Sequence, residues 1–336
     1  MTLTDTPQAD PAPARAPRRR GPLVAAALLV VLLLVAAVAF VLTRDPGPES
    51  TSTAPAPAPA PEEPAEPAVG PGEPLSWAPP VLEDPTVVEI TAEDTSLKLD
   101  QEKDYELVLP DEPLVSSGGL SVYGGRNVVM VGGEISVPPQ EEEEQSGLRA
   151  LYLRDQTGTV HIEGVKLTGE GLGEGINLDQ REGAVVQLQN IWVGEVFGTV
   201  DGHHGDLIQA WAGPAELRVD GLTGSTGYQG FFLLPKQFGD QPEPELFDLR
   251  RVDITGAEDR SAYMLWRDDL DWPLVTSDVW VDPTDADPDE RREFLWDREG
   301  EDSWADVQVG TPPGGPFVPE DRVGLGYASP GYAEQG

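Results

Sequence analysis

One eight-residue pattern, apolar-x-apolar-x-x-apolar-x-apolar, recurs along this chain and constrains its fold more than any other feature. It reads Val160, Ile162, Val165, Leu167, then Val186, Leu188, Ile191, Val193, then Phe247, Leu249, Val252, Ile254. Looser copies read Val128, Met130, Gly133, Ile135 and Leu274, Thr276, Val279, Val281. The 214–224 copy keeps Ala215, Leu217 and Leu222 but puts Asp220 in the third slot. The last position thus recurs at 135, 167, 193, 222, 254 and 281, with gaps of 32, 26, 29, 32 and 27. Alternation with period two marks a strand, and the two-residue step in the middle marks a corner at which a new strand begins.

Some 15 to 23 residues before each of those positions lies another short alternating stretch, at Leu120/Val122, Leu151/Leu153, Ile176/Leu178, Leu207, Phe231/Leu233 and Tyr263/Leu265. Each period therefore holds two or three short strands and no helix. A single unit of this kind cannot close a core. Stacked units bury a continuous inner column, with neighbouring strands about 4.8 Å apart. The pattern predicts an all-β chain wound as a right-handed parallel β-helix of six to seven coils over residues 81–283. Insertions such as Phe238–Pro244 and the acidic run Glu141–Glu144 lengthen loops without disturbing the stack.

The chain has 60 acidic and 22 basic side chains, a net charge of −38, and no cysteine. A disulfide framework, thiolate metal sites and thiol catalysis are thereby excluded. Nucleic acid is not an expected partner, because phosphate binding needs a cationic surface. Self-repulsion of so acidic a surface favours a monomer. The charge is uneven: residues 1–44 carry five arginines against Asp5 and Asp10. Leu23 to Leu42 is uncharged and twenty residues long, which matches the roughly 30 Å hydrocarbon core of a bilayer. Arg18–Arg20 stand directly before it, so the expected topology is a short cytoplasmic tail (1–22), a single-pass anchor (23–42) and an extracytoplasmic remainder. A cleaved signal peptide is the competing reading, since Ala37-Val38-Ala39 has the small-x-small form. Residues 43–80 form a Pro/Ala/Glu-rich linker. Ten prolines between Thr43 and Pro74 would hold the chain extended for up to ~100 Å at about 3.1 Å per residue.

GGLSVYGGRNVVMVGGEI (118–135), HGDLIQAW (204–211) and the coil repeat resemble right-handed parallel β-helix proteins of the pectate-lyase-like superfamily. The resemblance spans roughly residues 85–283 and implies the fold. It carries no activity over, because the same fold hosts lyases, hydrolases and adhesins. The polygalacturonase pattern Asn-Thr-Asp, Asp-Asp, Gly-His-Gly, Arg-Ile-Lys and the pectate-lyase patterns Trp-x-Asp-His and Arg-x-Pro-x-x-Arg are absent. Gly-His-His-Gly at 202–205 only echoes the former.

The densest polar segment runs from Asp201 to Trp211 and holds His203, His204, Asp206 and Gln209. Strict alternation fails here. If Leu207 points inward, so does Gln209; if Ile208 does, Asp206 shares its face. Local rules that conflict are a reason to look for function. The histidines could serve as bases near neutral pH, Asp201, His203 and Asp206 could hold a metal, and Asp179 and Asp206 could hold calcium, although no calcium repeat is present. Capping of a coil is the structural alternative. Stacking of neighbouring coils should align Tyr152, Arg154, Asn177, Asp179, Trp211, Phe232, Lys236, Trp266 and Arg267 in one lateral stripe. Aromatic faces mixed with amides and carboxylates suit sugars, so the expected partner is a polysaccharide of the cell envelope or environment. A lyase or hydrolase for an acidic glycan, with Lys236 or Arg267 as base or carboxylate partner, is the second expectation, and a non-catalytic spacer the third. In the tail (284–336), Asp287-Pro288 followed by DERREFLW predicts a short capped helix, and the Pro/Gly-rich remainder should run extended along the coil wall.

Overall fold

A computed structural model describes residues 72–140, 148–199, 202–238, 241, 243–257, 263–284, 294–297 and 302–333. Two parallel sheets face each other. The small sheet stacks β2 (Ser96–Leu99), β5 (Leu120–Gly124), β8 (Arg149–Arg154), β11 (Glu174–Asp179), β13 (Asp206–Ala212), β15 (Gln229–Leu233), β17 (Tyr263–Arg267) and β19 (Leu295–Trp296). The large sheet stacks β1 (Thr86–Glu89), β3 (Tyr105–Val108), β6 (Val128–Val131), β9 (Thr159–Glu163), β12 (Val185–Val196), β14 (Glu216–Thr226), β16 (Leu246–Gly256), β18 (Leu274–Asp282) and β20 (Gln308–Val309). Beside it, β4 (Leu114–Val115), β7 (Glu134–Ser136) and β10 (Lys166–Thr168) complete the lower rungs. The chain alternates between the sheets and every strand pair is parallel, so this is a parallel β-solenoid. It makes about five full turns rather than six to seven, carried by β8–β10, β11–β12, β13–β14, β15–β16 and β17–β18. Shorter strands extend the stack at both ends.

The repeat maps onto columns of the large sheet. Val128, Val160, Val186, Leu217, Phe247 and Leu274 pair in register along one column. Ile191, Leu222, Val252 and Val279 pair along another. The 214–224 copy is thereby corrected by two residues. Its frame is Leu217, Val219, Leu222, Gly224, and Asp220 stands on the outer face opposite Gln189 and Arg250. A slip of two preserves the side-chain parity of a strand, and a glycine in the final slot left nothing to anchor the count. The corner falls in the expected two-residue step. Asn190, Arg251 and Asp278 adopt φ of 49°, 48° and 54°, in the place held by Gly164 and Gly221 in other turns. Each fully buried Leu, Ile, Val or Phe in these columns contributes about 1.5–3 kcal/mol.

Both ends of the described chain return to the large sheet's outer face. Leu75, within the segment read as linker to residue 80, is already fully buried and bridges Tyr332, with Leu75 N donating to Gly331 O at 2.9 Å. Trp77 N donates to Gln189 Oε1 at 3.0 Å and Ser76 N to Asp220 Oδ2 at 2.7 Å. In the tail, Phe317 N and Val318 N donate to Asp253 Oδ1 and Thr223 Oγ1, each at 2.9 Å. What these segments cover is a polar ladder. At its centre Glu163 is fully buried and receives Tyr327 OH at 2.9 Å and Tyr332 OH at 2.6 Å, beside His161 Nε2 at 2.9 Å. Gly164 allows this approach, since a Cβ there would lie 2.1 Å from Tyr327 Cδ1. Leu295 and Trp296, expected to end a helix, are instead strand β19, paired with Leu265 and Trp266. The start of that expected helix and residues 23–42 lie outside the described residues. No helix among the described residues is long and apolar enough to cross a membrane.

Candidate functional site

The conflict between Leu207 and Ile208 is resolved by a bend in the small sheet. Both are fully buried. The Leu207 side chain reaches across to within 2.9 Å of where a Cβ on Gly224 would sit. Both face inward, so the flanking residues three apart, Asp206 and Gln209, both face outward. Gly175 is the counterpart of Leu207 in the preceding turn, and it must be glycine because a Cβ would sit 2.4 Å from Leu207 O. The same geometry repeats turn after turn and creates two adjacent outward files. The first holds Arg149 beside Glu174, and Asp206, Gln229 and Tyr263 in register above. The second holds Ser121, Tyr152, Asn177, Gln209, Phe232, Trp266 and Trp296 in unbroken register.

At the centre Asn177, Gln209 and Asp206 are linked, and with Glu174, whose charge acts on Asp206, they make a square of four. Asn177 Nδ2 donates to Gln209 Oε1 at 2.8 Å, and Gln209 Nε2 donates to Asp206 Oδ2 at 2.8 Å. Three buried acceptors of the square have no donor: Glu174 Oε2, Asn177 Oδ1 and Asp206 Oδ1. Arg149 Nε stands 3.8 Å from Glu174 Oε2, beyond hydrogen-bond range. Burial, and then the negative charge of Glu174, hold the Asp206 carboxyl well above the ordinary carboxylate range. Tyr228, stacked on exposed His204 at 4.7 Å, is raised by burial and by the charges of Tyr263 and Asp206.

Aromatic groups flank the square on both sides. On one side the Arg149 guanidinium lies 4.8 Å from the Tyr152 ring centre and 5.6 Å from that of Trp211. Trp211 is the extra residue of a β-bulge, where the pairing jumps from Leu178–Ala210 to Asp179–Ala212. The bulge re-aims the indole toward Tyr152, 5.9 Å away, and Phe238, 6.4 Å away. On the other side Phe232, Trp266, Trp296 and Tyr263 pack with centroids 4.7–5.3 Å apart. Asp179 is saturated by Tyr152 OH at 3.0 Å, Arg181 Nε at 2.7 Å and Arg154 Nε at 3.5 Å. Burial, followed by the Asp179 charge, pushes the Tyr152 phenol up to about 12.

The remaining expected site residues separate. Arg267 follows Trp266 and so faces inward. It is buried in register with Leu233, sits 4.1 Å over the Trp272 ring, and donates to Trp272 O and to Ser303 Oγ. That places it off the lateral stripe. Lys236 lies in the turn after β15, beyond the stripe's edge. The His203 ring packs on Phe197, with Nε2 3.0 Å from Gly173 O, while His204 turns to Tyr228. Asp201 lies outside the described residues. Among the described residues no three His, Asp or Glu side chains converge as a metal-binding group. Sequence reasoning missed Arg149 and Glu174, which strict alternation assigns to the interior. A cavity of about 1050 Å³ lies on the opposite wall between the tail and the large sheet, lined by Trp280, Phe317 and Tyr327 among others. Among the described residues no orphaned polar group lines it, so the lateral face of the small sheet is the better candidate.

The raised Asp206 makes a signed prediction. The unfolded chain releases this proton near 3.8, the folded chain only at higher pH, so the protonated group's stabilisation is complete below about 3.8 and is lost as pH rises. Asp206→Asn keeps the shape and supplies a permanent donor toward Glu174. Melts at pH 4, 6 and 8 should show a flatter pH slope for the variant and equal or greater stability at pH 8. No family, curated protein or solved structure compared with this chain matches it.

Proposed function

We propose that the chain is a polysaccharide-binding β-solenoid of the right-handed, pectate-lyase-like kind, with a linear glycan lying along the small sheet parallel to the solenoid axis. The observation that carries this reading is the register of Tyr152, Asn177, Gln209, Phe232, Trp266 and Trp296. Five steps of about 4.8 Å give a ridge of about 24 Å. That length suits several linked sugars rather than one. Rings supply apolar faces for the sugar, amides and carboxylates meet its hydroxyl edges, and no side chain has to be recruited from elsewhere. In the same reading the protein is held at the cell membrane by residues 23–42 as a monomer and works outside it.

A second reading, cleavage of the bound glycan, draws on one feature: burial and the Glu174 charge raise the Asp206 carboxyl, the direction that suits a general acid. The two readings part on products. Glycan-array binding by the full chain should fall about tenfold, some 1.4 kcal/mol, on Trp211→Ala or Trp266→Ala, because buried aromatic anchors dominate such surfaces. New reducing ends or unsaturated uronates in the incubation would favour the enzyme. Silence on every glycan would favour a spacer and end the binding reading.

A further inference from the structure

The square of Glu174, Asn177, Asp206 and Gln209 is short of donors, and this says what kind of sugar it takes. Each of its two amides gives one N–H within it, to Gln209 Oε1 and to Asp206 Oδ2. Three acceptor oxygens, on residues no more than 9 % exposed, are left without a donor among the described residues. Gln209, which bonds both Asn177 and Asp206, is only half-buried and so reaches solvent. The neighbouring cations do not fill the deficit. Arg149 lies over the Tyr152 and Trp211 rings and pairs with Glu174 Oε2 only at 3.8 Å, without a hydrogen bond, and Arg154 and Arg181 are engaged by Asp155 and Asp179.

We propose that this square is a subsite for a protonated amine, so that the glycan is one built of amino sugars with free amino groups. An ammonium carries three donors and a charge, against three orphaned acceptors of which two belong to carboxyls. A hydroxyl brings one donor and no charge. An acetylated amino group brings one donor and no charge. A uronate brings a negative charge to two carboxyls. The aromatic rings beside the square add to a cation's binding, and the acidic surface draws it in. With no ligand bound, burial and the negative charge of Glu174 favour the protonated form of Asp206. Ammonium binding therefore displaces a proton. Besides Glu174 and Gln209, the groups around Asp206 are Gln229 and Tyr228 on the next turn, with His203 and His204 on the loop entering β13.

This inference rests on the glycan reading, and the test separates the two. The full chain is titrated calorimetrically with a glucosamine hexamer, its fully N-acetylated counterpart and a galacturonate hexamer, at about pH 5.5 in physiological salt and in two buffers of different ionisation enthalpy. The expected result is at least about tenfold tighter binding of the free-amine hexamer, proton release with that ligand alone, and no binding of galacturonate. Asp206→Asn with Glu174→Gln should bring the first two ligands to equal affinity. Should that pair fail to fold, proton release by the natural protein decides alone. Equal binding of acetylated and free-amine hexamers overturns the subsite and leaves the glycan reading standing. Binding of none removes both. A preference that persists in the double variant, or that comes without proton release, shows general attraction to an acidic surface and overturns the subsite.

Discussion

Glu163→Ala is expected to cost about 3–5 kcal/mol of stability, the range for removing one partner of a buried charged cluster. Three donors lose their acceptor at once: Tyr327 OH, Tyr332 OH and His161 Nε2. Two of them belong to the tail, so the loss should appear as release of residues 317–333 from the large sheet as well as a lower melting temperature. At about 2–4 °C per kcal/mol for a domain of this size, the shift should be on the order of 10 °C. Tyr332→Phe removes a single donor and should cost about 1–3 kcal/mol. Thermal melts and limited proteolysis of the tail check both, and a loss under 1 kcal/mol for Glu163→Ala would mean the tail is not seated on this residue. The pH sign is also fixed. Burial alone would raise the Glu163 carboxyl, but the hydrogen bonds from His161, Ser329, Tyr332 and Tyr327 outweigh it and hold the group below its ordinary 4.5. Its contribution is therefore present above about 4.5 and is lost as pH falls through the lowered folded value. Asp206, on the other sheet, slopes the opposite way. Acid loosens the tail wall while it favours the protonated form of Asp206.

The wall held by Glu163 was largely invisible in the sequence, and the reason is instructive. Period-two alternation reports which residues face the core, so the columns of Val160, Val186 and Phe247 could be read directly. It says nothing about what covers an outer face. Tyr327 and Tyr332 meet Glu163 across more than 160 residues. The stripe was legible for a related reason: Tyr152, Asn177, Gln209 and Trp266 each follow an inward residue, and stacking aligns whatever follows. Arg267 obeyed the same parity and so belongs inside. Where the parity breaks, reading stopped. The bend at Leu207–Ile208 turns two consecutive residues inward, and the bulge at Trp211 adds a residue to one strand. Neither leaves a compositional mark, and both contribute to the site. They hid Arg149 and Glu174, and with them the lack of donors that gives the square its chemistry.

The bend can be tested directly, because it makes a demand no alternating strand can meet. Leu207→Ala and Ile208→Ala should each cost about 2–5 kcal/mol, the range for truncating a fully buried aliphatic side chain to leave a cavity. An alternating strand would place one of the two on the surface, where truncation changes stability by no more than about 0.5 kcal/mol. Leu207 should sit near the top of the range. It fills the space above glycine at position 224, which has no side chain with which to close the gap. Gly175 cannot fill it either, since a Cβ there meets the Leu207 carbonyl. Ile208 packs in a column between Ile176 and Phe231, whose side chains can relax toward it, so its loss should be smaller. Chemical denaturation of the two variants and of Val131→Ala, an exposed strand residue as control, settles the order. Two large losses and a small one would fix Asp206 and Gln209 on the same outer face. One large loss and one near zero would restore plain alternation and turn one of those two polar residues into the core, dissolving the square on which ligand selection depends.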